Sequence, residues 1–168
     1  MCKNDRKERD FMKNIKQYNL HELKNEMISI GEKPFRAEQI FSWLYREKVK
    51  EFDEMTNLSL ELREKLKAEY DICNFKIIRK QESSDGTKKY LFDVLDGNAI
   101  ETVLMQYHHG KTICVSSQIG CKMGCKFCAS TGIPFVRNLS AGEIVEQVIA
   151  VEQDILDNIS NIVFMGIG

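Results

Sequence analysis

A chain of 168 residues holds one ordinary domain, or one small domain with part of another. Hydrophobic residues make up 43% and charged residues 29%, ordinary for a soluble globular protein, and no apolar run of about 18 residues offers a membrane span. The net charge of −1 divides into +3 over residues 1–80 (18 Lys+Arg against 15 Asp+Glu) and −4 over 81–168 (6 against 10), a mild asymmetry that reads as a solvated surface rather than a nucleic-acid footprint.

The N-terminal stretch MCKNDRKERDF is charged and lacks an apolar core, so it does not read as a secretory signal. The expected address is the cytoplasm, where thiols stay reduced and clustered cysteines point to metal or redox chemistry rather than to a disulfide scaffold. Helices come first. Asn19 and Glu22 have capping-box spacing, Leu20, Leu23, Met27 and Ile30 recur at helical period, and Gly31 is a stop. A second helix is expected from Phe35, with Ile40, Phe41, Trp43, Leu44 and Val49 apolar, and a third from Ser59 with Leu62 and Leu66 inward. Together they predict a compact helical domain over 1–72, in which Trp43 is a core residue.

The period then changes. NFKIIRK, KKYLFDVL, AIETVLMQY and KTICVSS are short and rich in β-branched and aromatic residues. Asp85-Gly86, Asp96-Gly97-Asn98 and His109-Gly110 separate them as turns, which predicts a β-meander, with 73–106 as a linker region. Ser140 and Glu143 form a second capping box ahead of Ile144, Val148, Val151 and Ile155. The apolar NIVFMGIG is expected as a buried parallel strand running to its glycines. Strand, cysteine loop, helix, strand is a βαβ unit over 107–168. One such unit cannot close a barrel, so the chain is expected to be a fragment.

The chemistry concentrates in CVSSQIGCKMGCKFCAS. Cys121, Cys125 and Cys128 follow C-x-x-x-C-x-x-C, and Cys114 stands seven residues upstream. Structural zinc wants four ligands, with Cys114, His108 or His109 completing the set. A redox pair at Cys125 and Cys128 leaves Cys121 unexplained. Inert buried cysteines fit poorly with a loop of Gly, Lys and Ser. An iron–sulfur cube accounts for all three, with three corners held by thiolates and the fourth iron open to a cofactor.

These residues and their flanks resemble one family. GEKPFRAEQIFSWLY, FDEMTNLS, SSDGT, AIETV, CVSSQIGC, CKFCAS, VRNLSAGEI and FMGIG are similar, in order and over nearly all of residues 20–168, to the RlmN/Cfr family of radical S-adenosylmethionine methyltransferases, nearest the RlmN type. The resemblance implies an α/β chain: a small N-terminal helical RNA-engaging domain (with Lys33, Arg36 and Lys48), a short β-meander, and the start of a radical-SAM (β/α) partial TIM-like barrel, truncated after its second strand. It implies methylation of carbon 2 of an adenine in 23S ribosomal RNA and in tRNA, with a 4Fe–4S cluster on Cys121, Cys125 and Cys128 and S-adenosyl-L-methionine as cofactor. The Cfr type would methylate carbon 8, and a non-catalytic zinc-stabilised RNA-binding module is the rival from another class.

The resemblance also assigns roles. A methyl group travels on a cysteine beyond residue 168, a carbon radical adds to adenine, and Cys114 closes a transient disulfide that releases the product. Glu101 falls on the family's proton acceptor, and Gly166 and Gly168 on the glycine-rich strand end beside the cofactor's amino group. Arg137 and Asn138 match a segment that positions RNA or cofactor, or else serves loop and helix contacts. The expected partners are 23S rRNA, tRNA and an electron donor such as flavodoxin, for a monomer without a membrane role. The carrier cysteine and most cofactor contacts are absent, so this chain by itself is expected not to turn over.

Overall fold

The computed structural model describes residues 12–130 and 132–168. The charged N-terminal stretch and Cys2 lie outside them. The chain divides into two compact units, one up to Asn74 and one from Phe75 to Gly168.

The first unit is built on helices α1 (Leu20–Ser29), α2 (Phe35–Ser42) and α3 (Leu60–Glu69). Two of the three starts carry a side-chain cap, and α2 follows Pro34 without one. Asn19 Oδ1 accepts from the Glu22 backbone N–H while Glu22 accepts from the Asn19 N–H, and the Ser59 hydroxyl accepts from Leu62 N–H. Leu23, Met27, Ile40, Leu44, Leu62 and Leu66 are buried in one core, each worth about 1.5–3 kcal/mol against exposure. α2 runs into a π-helical turn, Trp43–Glu47, and stops at Lys48, whose φ of 55° is left-handed. Trp43 is partly buried against the core, and its indole N–H donates to Asn57 Oδ1 at 2.6 Å. A short parallel ladder, β1 (Lys13–Asn14) on β2 (Tyr70–Asp71), ties the two ends of the unit together.

The second unit carries β3 (Lys76–Glu82), β4 (Lys88–Asp93), β5 (Ala99–Tyr107), β6 (Gly110–Cys114) and β9 (Asn161–Val163) in one sheet of order β3-β4-β5-β6-β9. The first four are an antiparallel meander, and β9 joins β6 in parallel through α4 (Ala141–Ile155). The meander and the βαβ unit therefore share a single sheet. On β5, Ile100, Thr102 and Leu104 are buried, and Thr102 meets Gln147 of α4; Glu101, Val103 and Met105 leave on the opposite face. Tyr90, Phe92 and Ile113 complete the apolar layer of the second unit.

NIVFMGIG differs from its expectation. Only Asn161–Val163 lie in the sheet, and Phe164 and Met165 are 66% and 80% exposed. Beyond Val163 the regular ladder breaks, while the segment stays hydrogen-bonded to the backbone that follows β6. Gly166 N–H donates to Val115 O, and Ser117 and Gln118 N–H donate to Ile167 O. Among the described residues β9 is the edge strand, so its apolar composition is not matched by burial there.

Candidate functional site

The cysteine loop is pinched at its base. β7 (Gln118–Ile119) pairs antiparallel with β8 (Arg137–Asn138), and Val136 N–H to Ile119 O and Leu139 N–H to Ser117 O extend the ladder. Gly120 stands at the neck with φ +67°, and a Cβ there would lie 1.9 Å from Pro134 O. No residue with a side chain fits. Lys122 Nζ sits over the Phe135 ring at 4.1 Å from its centroid, bracing the opposite arm of the loop.

Within the neck, Cys121 and Cys125 are half-buried, Cys128 is exposed, and none of the three is in a disulfide. Cys121 Sγ accepts from Met123 N–H at 3.5 Å, Cys128 N–H donates to Cys125 O at 3.1 Å to close a turn, and Gly124, just before that turn, has φ +62°. Phe127 is 93% exposed beside them. The donor set is three reduced, accessible sulfurs on one loop, which suits a thiolate-bound cluster. Among the described residues, however, no group of three or more His, Cys, Asp or Glu is drawn together closely enough to hold a metal ion. His108 and His109 lie at the turn before β6, whereas Cys114 ends that strand and leads to the loop.

The root of the loop is anchored from below. Gln147 is fully buried on α4; its Oε1 accepts from Ser116 N–H (2.9 Å) and Thr102 Oγ1 (2.8 Å), and its Nε2 donates to Ser116 O (2.9 Å). Ser116 Oγ donates to Glu101 O and accepts from Ile167 N–H. These bonds bring Glu101, the start of the loop and the Gly166–Gly168 segment together. A Cβ on Gly166 would lie 2.7 Å from Val115 O, and one on Gly168 2.0 Å from Ser117 Oγ. Cys114 is half-buried, in register with Val103 on one side and Val163 on the other. Glu101 is on the same sheet face as Val103, hence on the face of Cys114. Gln147 escaped the sequence reading because a glutamine on an amphipathic helix carries no periodic signal of burial.

Arg137 is occupied within the chain. Its guanidinium donates to Asp96 Oδ2 (2.9 and 2.6 Å) and to both oxygens of Glu143 (2.9 and 2.6 Å). It thereby links the β4–β5 turn to the capping box of α4. Burial pushes both carboxyls up, but hydrogen bonds from Arg137 and from nearby backbone outweigh it and hold Asp96 and Glu143 below their ordinary values. Carboxyls held low stabilise the fold above their unfolded pKa of about 4 and lose that contribution as pH falls through the lower folded value. Arg137→Met is therefore expected to cost about 1–3 kcal/mol at neutral pH, read by denaturant unfolding. The difference from the parent should shrink as the pH is taken well below 4. A gap that stays constant with pH contradicts the assignment.

Comparison with known proteins locates this arrangement. Residues 13–72 match the ribosomal RNA large subunit methyltransferase N-terminal domain. The chain is 52% identical over 158 residues to a probable dual-specificity RNA methyltransferase RlmN of Clostridium novyi, covering 94% of this chain and 46% of that protein. It is 49% identical over 157 residues to the protein of the same description from Bacillus subtilis, covering 92% and 43%. The crystal structure of a radical SAM methyltransferase from Sphaerobacter thermophilus superposes with a TM-score of 0.84 at 39% identity, over 93% of this chain and 47% of that one. The chain thus spans slightly less than half the length of the relatives it matches. No helix among the described residues is long and apolar enough to cross a membrane.

Proposed function

We propose, for a chain that belongs to the RlmN/Cfr family of radical S-adenosylmethionine methyltransferases, that the full-length protein methylates carbon 2 of an adenine in 23S ribosomal RNA and in tRNA. The observation that carries this reading is the pinched loop of three cysteines outside any disulfide, set between the parallel strands β6 and β9. Support for carbon 2 over carbon 8 comes from the RlmN descriptions of the relatives.

Cys121, Cys125 and Cys128 would hold three irons of a 4Fe–4S cluster, with S-adenosylmethionine on the fourth. When bound, the cluster supplies the electron that splits the sulfonium. The chain's own residues do the rest of what falls to this part of the molecule. Gly166 and Gly168 keep side chains out of the space beside Val115–Ser117, where the backbone can approach the cofactor. Glu101, at the surface of the sheet, accepts the ring proton. Cys114, half-exposed on the same face, attacks the carrier sulfur as its thiolate; the S–S bond forms as the bond from that sulfur to the methyl-derived carbon breaks, and the electron pair leaves with the product. The helical unit, through Lys33, Arg36 and Lys48, engages RNA by shape and phosphates, and the target base is drawn from its stack. In this reading the division is 1–72 for RNA engagement, 73–106 for the meander and 107–168 for the radical-SAM core. The protein works as a cytoplasmic monomer with a flavodoxin-like electron donor.

The test is mass spectrometry of nucleosides from 23S rRNA and tRNA in cells that lack the endogenous enzyme and express the full-length gene. The expected product is 2-methyladenosine in both RNAs. 8-Methyladenosine, or no new methyladenosine, overturns the proposal.

A further inference from the structure

The sheet face that carries Cys114 and Glu101 also carries a lysine. On β4, Lys89 stands opposite Val103 and Leu91 opposite Glu101, so Lys89 and Glu101 are diagonal neighbours on one face. Lys89 Nζ lies 2.9 Å from Glu101 Oε1, with both side chains 44% exposed. Neighbouring lysines of this unit are turned to other partners: Lys80 to Asp154, Lys88 to Glu82 and Lys111 to Asp157.

We infer that Lys89 is a positioning residue that holds the Glu101 carboxylate in a fixed orientation over the face shared with Cys114. The inference rests on the reading of Glu101 as proton acceptor. A free glutamate on a strand samples several rotamers, and proton transfer needs an oxygen within hydrogen-bond reach of the donor. The ammonium takes Oε1 and leaves Oε2 for the proton; Lys89 itself neither gives nor takes one. A half-exposed pair adds only about 0–1 kcal/mol to stability, so its loss should leave the fold intact.

The test is a double-mutant cycle in the full-length enzyme, read as single-turnover methyl transfer to an RNA substrate and as KM for that RNA. Lys89→Met is expected to slow transfer about 10- to 100-fold, the cost of a misplaced group, with KM and melting temperature little changed. Lys89→Arg should recover most of the rate. In a Glu101→Gln background, Lys89→Met should cost nothing further. An additive loss in the double variant, or a loss confined to KM, overturns the inference and makes Lys89 a phosphate contact. If Glu101→Gln is slow but Lys89→Met is not, only the role of Lys89 falls. If Glu101→Gln alone transfers at the parent rate, the reading of Glu101 falls and takes this one with it.

Discussion

Replacing Cys121, Cys125 or Cys128 singly with alanine in the full-length enzyme is expected to abolish RNA methylation, a fall of more than about a thousandfold. The size follows from what is lost. Enzymes accelerate reactions by about 10⁶-fold or more, and under the proposed function the cofactor supplies the chemistry, so a protein that cannot hold it would keep almost none of that factor. The three sulfurs are not redundant. They stand outside any disulfide on a loop closed at its neck by β7 and β8, and the described residues bring no further His, Cys, Asp or Glu into a grouping that would replace one. Bound iron should fall in each variant along with activity. A variant that kept full iron and full activity would remove its cysteine from the ligand set. Cys114→Ala should behave differently, retaining iron while blocking turnover, because Cys114 stands on the sheet and not in the loop.

The second large effect is expected at a residue with no chemistry. Gly120→Ala should destabilise the second unit by about 2–5 kcal/mol, from a left-handed backbone (about 1–2) and a forced clash (about 1–3). The clash is with main chain, since the new Cβ would lie 1.9 Å from Pro134 O and 2.9 Å from Phe135 Cα. A flexible side chain could move aside, but the two arms of the neck cannot without breaking the ladder that defines the loop. Gly124→Ala is the control. Its φ is +62° but open space surrounds it, so only the backbone cost of about 1–2 kcal/mol applies. Denaturant unfolding of the two variants should rank them in that order; equal costs would mean that the neck is not rigid.

What could be read from the sequence was local. The boxes at Asn19–Glu22 and Ser140–Glu143 are reciprocal hydrogen bonds between residues three apart, and both form. The strands of the meander and the turns at Asp85-Gly86 and Asp96-Gly97-Asn98 follow from alternation and from positive φ at the glycines. The cysteine spacing is local too. What the sequence concealed depends on partners far along the chain. Arg137 was open to two readings, and only its distance to Asp96, 41 positions away, assigns it to holding the turn and the helix together. Gln147 looks like a surface residue until the sheet places Ser116 against it, and the exposed Lys89 shows its partner Glu101 only once β4 and β5 pair. The exposure of Phe164 and Met165 could not be read from an apolar run, because burial is a property of what packs on the strand and not of its composition.

What the three loop cysteines hold decides the chemistry of the site. Iron and acid-labile sulfide can be measured in the anaerobically reconstituted full-length protein, beside a form with all three cysteines replaced. About four irons and four sulfides per chain, lost together in the replaced form, is the predicted result. Zinc in place of iron, or iron that persists without Cys121, Cys125 and Cys128, would contradict it.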